Sequence, residues 1–418
     1  VVVISPLVAL MEDQVLQLRR RGIAAACLHA GLDPARRQQA MAALRDESLR
    51  LLYLAPERLQ GEATQRLLET HAAEGRLVAL AVDEAHCISA WGHDFRPDYR
   101  RLGLIRRLCP GVPMLALSAT AAPRVRADIL RLLDLRSPLV QVSSARRENL
   151  RYAMQRRPRD PMPQVLEALE QSRGATLIYA RTRRSVEHWA ERLQGQSVEA
   201  TPYHAGLEPA TRQTALTQFL EQERPVLVAT VAFGMGVDRG DVGLVLHLDL
   251  PSTPEGYLQE SGRAGRDGQP ARCLVLFSPG DRTSLGWAMQ AAAGRGTTAD
   301  ERHRLDLAQQ QLRRMEAVAE GEMCREQALL LAVGELVDPC GRCDRCSASP
   351  KRKDWSRQAT TLLTHLDDLD GTDMRRLGEH LALHETGQGE RWTWLARRLV
   401  QEELIRESND GVLSLIHI

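Results

Sequence analysis

HAGLDPARRQQAMAALRDESLRLLYLAP, residues 29–56, lies without gaps on HAGLEPATRQTALTQFLEQERPVLVATV, residues 204–231, 175 positions further along the chain. Each copy has a glycine turn after a histidine, an Asp-Pro or Glu-Pro helix start, an amphipathic helix and a short Val/Leu-rich run. Proline suits the first helical position because the N–H it lacks would have no partner there. A period this long rules out a solenoid, whose units repeat every 20–50 residues or so. The repeat therefore predicts two copies of one α/β domain.

Working outward, VVVIS, RLLYLAP, LVALAVDEA, MLALSAT, ATLIYA, VLVAT, LVLHLDL and CLVLFSP alternate with helical patterns. Continuous apolar runs of this length read as strands buried on both faces, hence parallel sheets covered by helices. Chemistry in such sheets sits just past the carboxyl ends of the strands, where Asp83, Ser118, Arg181, Thr230 and Asp249 fall. The boundary between the copies is expected in the polar, proline-rich stretch SSARRENLRYAMQRRPRDPMP, residues 143–163. After about Gly280 the pattern becomes helical and then enters the tight loop PCGRCDRC. From Trp355 it reads as helix, helix, a longer helix carrying Arg391, Arg397 and Arg398, and a strand hairpin. That order suggests a winged helix-turn-helix module, with a small helical contact tail as the other reading.

The net charge is +1, so any face for a polyanion must be local. No apolar run is long enough to span a bilayer and no export signal opens the chain, which points to the cytosol. Apart from Lys351 and Lys353 every basic residue is arginine or histidine. A lysine needed for chemistry before position 351 is therefore not in these residues. In a reducing compartment Cys27, Cys87, Cys109 and Cys273 read as small buried hydrophobes.

VDEAHCISAWGHDFRPDYR, residues 82–100, joins two kinds of chemistry. Asp83 and Glu84 end a buried run, where one carboxylate can hold Mg²⁺ and the next can orient and deprotonate a water; a solvated acidic turn is the plainer reading. His86 is placed to couple that site to its neighbour. Trp91, His93, Phe95 and Arg96 follow, and rings on a loop can stack on unpaired bases or simply fill a corner of the core. In QESGRAGRDG, residues 259–268, Arg263 and Arg266 are three apart; on a helix start both guanidiniums would point one way, toward phosphoryl charge, unless they are surface ion-pair partners. Carboxylates in the first copy and arginines in the second predict a nucleotide cleft between the domains. Cys324, Cys340, Cys343 and Cys346 suit a closed tetrahedral Zn²⁺ site, with an iron–sulfur cluster as the alternative.

Taken together VVVISPLVALMEDQV, LLYLAPERL, VDEAHCISAWGHDFRPDYR, LALSAT, YHAGL, VLVATVAFGMGVD and YLQESGRAGRDG resemble, in order, the motifs of the RecQ family of superfamily-two DNA helicases. The resemblance implies an α/β fold of two RecA-like lobes of the P-loop NTPase type, residues 1–141 and 142–280, then a helical zinc-binding domain, 281–350, and a winged-helix domain, 351–418. It implies ATP-dependent unwinding of DNA with three-prime to five-prime polarity in recombination, repair and replication, with ATP, Mg²⁺ and Zn²⁺ as cofactors. Asp83 would serve magnesium, Glu84 would be the base, and Arg266 the arginine finger with Gln259 and Arg263 beside it. Ser118 and Thr120 would link hydrolysis to lobe movement, Gly236 and Asp238 would border the nucleotide, and Trp91, His93, Phe95 and Arg96 would sense single-stranded DNA. Expected partners are single-stranded and branched duplex DNA, a single-stranded-DNA-binding protein and repair factors, met by a monomer in the bacterial cytoplasm. One departure is plain: the family's G-x-x-x-x-G-K-[ST] loop is not present. The chain is thus expected to be N-terminally incomplete and inactive alone; a non-hydrolysing DNA-binding remnant is the alternative, and an RNA helicase is disfavoured by the cysteines and rings.

Overall fold

The structure is a computed structural model of the 418-residue chain. It describes residues 1–416 except 47, 93, 232, 234–238, 294–297, 349–353, 369–371, 375, 378–380, 382–388, 403 and 409–410. β1 (Val2–Ile4), β2 (Ala25–Leu28), β3 (Leu51–Leu54), β4 (Leu80–Val82) and β5 (Met114–Ala116) form a parallel sheet in the order β2-β3-β1-β4-β5. β6 (Leu150–Arg156), β7 (Ala175–Tyr179), β8 (Ala200–Tyr203), β9 (Val226–Ala229), β10 (Val242–His247) and β11 (Ala271–Phe277) form a second one, in the order β6-β11-β10-β7-β9-β8. All pairings in both are parallel.

The repeat in the sequence is a repeat of sheet positions. The first copy ends β2, forms the helix Pro34–Arg45 and returns as β3; the second ends β8, forms the helix Pro209–Glu221 and returns as β9. In each sheet the returning strand lies beside the lobe's central strand, β1 or β7. Both histidines are buried, and each Nε2 faces a glutamate on the preceding helix, His29 to Glu12 at 3.4 Å and His204 to Glu187 at 3.1 Å. Asp33 caps its helix by accepting the N–H of Arg36, whereas Glu208 makes no side-chain cap; the shorter acid reaches the exposed N–H groups of the first turn.

The two sheets differ at one edge. β6 covers the outer side of β11, but no strand among the described residues covers the equivalent side of β5. Leu115 and Leu117 there are about half exposed, at 49% and 52%. The inner strands of the first sheet are double-faced as expected: Ile4, Leu54, Leu80 and Val82 are fully buried, each worth about 1.5–3 kcal/mol of transfer free energy.

Residues 136–149 connect the lobes without regular structure. After β11 come the helices Gly280–Ala293 and Ala299–Glu320, the second begun by a Thr298/Glu301 capping box, and then Arg325–Ala332 and the short Asp344–Ser347. The C-terminal region holds the helices Ser356–Asp368 and Gly389–Gln401 and an antiparallel sheet, β12 (Thr372–Asp373), β13 (Ile405–Glu407) and β14 (Val412–Leu415), in the order β12-β14-β13. It has its own small core, including Leu362, Met374, Trp392, Leu395 and Leu413. The second of the three helices expected there falls partly outside the described residues. Of the arginines expected on the third, Arg391 is exposed, Arg398 pairs with Glu402, and Arg397 is turned inward, 3.9 Å from Glu316.

Candidate nucleotide cleft, cysteine site and nucleic-acid face

β4 delivers Asp83 and Glu84 at its carboxyl end, as expected. The N–H of Asp83 donates to the carbonyl of Ile4, and that of Ala85 to the carbonyl of Leu117, so the turn is fastened to the strands on both sides. Glu84 sits in the left-handed region at φ 45°, a conformation that costs a non-glycine residue free energy and persists where the surroundings over-determine it. Asp83 accepts from the Ser5 hydroxyl and from the N–H of Glu84, while Tyr99 donates to its carbonyl. Burial, and then the adjacent Glu84 charge, push the Asp83 carboxyl above its ordinary value. An added cation would reverse that penalty, so the pair suits a divalent ion better than an empty turn.

His86 is almost wholly buried; its Nδ1 lies 3.3 Å from Glu84 and 3.0 Å from the hydroxyl of Ser118, which follows β5. This joins the ends of β4 and β5 through one ring. The Ser118 hydroxyl also accepts the N–H of Thr120, whose own buried hydroxyl has no partner among the described residues.

Across the gap, Gln259 Nε2 donates to Glu84 Oε1 at 3.4 Å, the direct tie between the lobes at this point. Glu84, Thr120, Gln259, Arg263 and Arg266 line one cleft of about 450 Å³ together with Gln14 and Arg147. The expectation of a helix start under Arg263 and Arg266 is wrong. The helix Pro254–Ser261 ends before them; Gln259 is in its last turn and both arginines lie in the turn beyond. Gly262 ends the helix, and Gly265, at φ +55°, leaves no room for a Cβ, which would meet Asn149 at 2.5 Å and the Gln269 carbonyl at 2.8 Å. The arginines consequently part, Arg263 buried and Arg266 exposed to the cleft. Gly236 and Asp238 lie outside the described residues.

Sequence reasoning missed Arg147. From the connecting segment its guanidinium donates to the carbonyls of Gly262, Ala264 and Gly265, holding the turn that carries Arg266. Nothing local marks it among the neighbouring arginines.

Cys324 stands at the N-cap position of the helix Arg325–Ala332, Cys340 and Cys343 precede the short helix Asp344–Ser347, and Cys346 lies within it. The four Sγ atoms lie within 4.8 Å of one another, and Cys324 and Cys343 are 3.8 Å apart. A tetrahedron with Zn–S bonds of about 2.3 Å has edges of about 3.8 Å. Backbone N–H groups of Cys340 and Cys343 donate to the sulfurs of Cys324 and Cys340, stabilising thiolate charge. The donors therefore fit zinc.

The ring-bearing loop folds over the edge of the first lobe. Trp91 and Phe95 are half buried; Trp91 packs against the lobe's core on one side. The loop is thus a corner of the core on one side of Trp91, and both rings keep part of their surface outside that core. Arg96 is spent within the chain, on Asp94 at 2.9 Å and on the Pro6 carbonyl. His93 lies outside the described residues.

A parallel-sheet lobe carrying carboxylates and a second carrying arginines thus share one cleft, closed at one point by the Glu84 to Gln259 contact. Residues 1–129 match the DEAD/DEAH box helicase family, 160–268 the helicase conserved C-terminal domain, and 279–347 the RecQ zinc-binding family. The chain is 38% identical over 354 residues to ATP-dependent DNA helicase RecQ of Haemophilus influenzae, covering 84% of this chain and 55% of that protein. It is 37% identical over 384 residues to the RecQ helicase of Pasteurella multocida, covering 91% and 58%. It belongs to the RecQ family of DNA helicases. It spans a little over half the length of these bacterial relatives. Among solved structures it resembles Mycobacterium smegmatis helicase Lhr bound to ssDNA and AMP-PNP, at a TM-score of 0.51 and 16% identity, covering 99% of this chain and 52% of that one. It also resembles the DEAD-box helicase Mss116 bound to ssRNA and UDP-BeF, at 0.54 and 15%, covering 80% and 76%; at such identities the likeness is one of fold. Among the described residues no helix is long and apolar enough to cross a membrane.

Proposed function

We propose that these residues form the motor, zinc and winged-helix portion of an ATP-dependent DNA helicase moving three-prime to five-prime in recombination and repair, with the domains 1–141, 142–280, 281–350 and 351–418. The observation that carries the reading is the Glu84 to Gln259 contact, with Arg263 and Arg266 on the same cleft. When bound there, ATP with Mg²⁺ supplies a phosphoryl group whose transfer is driven by charge stabilisation and positioning. Asp83 holds the cation, and Glu84 orients and deprotonates the attacking water. Arg266 faces the transferred charge, with Gln259 and Arg263 sensing closure, and His86 with Ser118 and Thr120 passes that closure between strand ends. Trp91 and Phe95 stack on bases of single-stranded DNA, and Arg96 holds their loop in shape. The compartment is the cytosol, and the partners are branched DNA, a single-stranded-DNA-binding protein and repair factors.

Two results are expected of the purified 418-residue chain. It binds a fluorescein-labelled single-stranded oligonucleotide in an anisotropy titration, and Trp91→Ala and Phe95→Ala each weaken binding by about 1–3 kcal/mol, the usual worth of one base–ring stack. Affinity indifferent to both changes would refute the ring reading. The chain also shows no DNA-stimulated ATP hydrolysis in a phosphate-release assay, because no lysine precedes residue 351 to grip the phosphates. Stimulated turnover by the pure chain would overturn that requirement.

A further inference from the structure

Trp91 and Phe95 are ringed by cations from three parts of the chain, one adjacent and two distant. The Arg124 guanidinium carbon lies 3.1 Å from the Trp91 ring centroid, and those of Arg100 and Arg304 lie 5.2 and 5.8 Å from that of Phe95. His303 presents its ring edge to Trp91 at 6.0 Å and 81°. Arg100 comes from the turn Pro97–Leu102 directly after the loop, Arg124 from the first turn of the helix Pro123–Leu132, and His303 and Arg304 from the helix Ala299–Glu320 beyond the second lobe.

Arg124 and Arg304 each have an acid nearby, Asp128 and Glu301, whose carboxyls they help to lower, but neither closes a pair with it. Among the described residues none of the three arginines makes an ion pair with an acid, although acids are near. Asp128, close to Arg124, is held by Arg131 and by the Ser89 hydroxyl; Glu301, close to Arg304, is folded back on Thr298; Asp94, within the loop, is held by Arg96. In a chain whose total charge is +1, three guanidiniums left to ring faces, two of them on exposed residues and one half buried, are a local excess. A guanidinium over a ring is held only weakly at an exposed site. A charge-assisted bond to a phosphate oxygen is stronger and more directional, so a phosphodiester chain would draw each arginine off its ring.

We propose that Arg100, Arg124 and Arg304 form a phosphate track for single-stranded DNA. In the free chain they cover the faces of Trp91 and Phe95. In the complex the bases take those faces and the guanidiniums pair with the phosphates between them. Because Arg304 stands on the helix that leads to the cysteine site, the track joins the first lobe to the zinc-binding region across the bound strand. The inference rests on the reading of the loop as a single-strand site, and the two can fail separately.

The test is the salt dependence of binding of a labelled oligothymidylate to the full chain, between about 50 and 300 mM salt. A phosphate contact on a single strand contributes about 0.7 to the slope of log K against log salt. Arg100→Gln, Arg124→Gln and Arg304→Gln should each flatten the slope by about 0.7 and weaken binding about eightfold at about 50 mM. Trp91→Ala and Phe95→Ala should weaken binding with the slope unchanged, since stacking releases no counterions. Arginine variants that weaken binding along parallel lines would make these residues mere props for the rings and overturn the track, as would variants without effect. A wild-type chain with no single-strand affinity would overturn both the track and the ring reading. Melting curves matching wild type establish that each substitution leaves the fold intact.

Discussion

Stripping zinc from this chain is expected to unfold the region from Arg325 to Ser347 and to loosen the second lobe with it. Four sulfurs within 4.8 Å gain nothing from one another without a cation, being repulsive as thiolates and weak hydrogen-bonding partners as thiols. The metal's binding free energy is folding free energy, on the order of 10 kcal/mol for structural zinc near neutral pH. The effect spreads because Cys324 and Cys343 belong to the same core as Tyr152, Tyr257, Cys273, Leu312 and Leu329. A strong chelator in mild denaturant should therefore release close to one zinc per chain, read with a chromogenic ligand, together with a fall in helical circular dichroism. An unchanged melting curve after complete removal would sink the assignment, as would an iron chromophore in the fresh protein.

Asp344→Ala is expected to lose about 3 kcal/mol or more even with zinc in excess. Arg325 is 1% exposed, and Asp344 meets it with both oxygens, at 2.9 and 3.1 Å. The remaining guanidinium nitrogen is bound to the carbonyls of Val318 and Gly321. Removing one partner of a buried pair strands the other charge, which typically costs about 3–5 kcal/mol. Asp344 also accepts the N–H of Met154 in β6, so the loss includes a tie between the cysteine region and the second lobe. Urea midpoints at saturating zinc are the measurement; a shift below about 1 kcal/mol would show that the guanidinium finds other compensation. Replacing both residues with apolar ones of similar volume should restore part of the stability, since the pair's desolvation cost disappears with it.

The duplicated stretch at His29 and His204 carried the architecture because hydrophobic period, proline position and turn glycine are local rules. Both copies obey them, and the structure puts them at matching places in two parallel sheets. The cysteine set was equally open to reading, because ligand spacing constrains a tetrahedron almost by itself. Arg263 and Arg266 were harder. Their spacing fits a helix start, but the glycines at 262 and 265 end one instead and leave Arg263 buried and Arg266 exposed on the one cleft they both line.

Residue order was thus sufficient for two α/β lobes, for carboxylates at the end of β4 and for a four-cysteine site, since each depends on neighbours a few positions apart. It was not sufficient for the contacts that make these parts one machine. Glu84 meets Gln259 across 175 residues, Arg147 braces a turn more than 110 residues away, and Trp91 lies between Arg124 and His303. Such pairings leave no periodic trace in the chain. They arise from how helices and sheets pack once hydrophobic burial has brought the lobes together, and so only the folded arrangement assigns them.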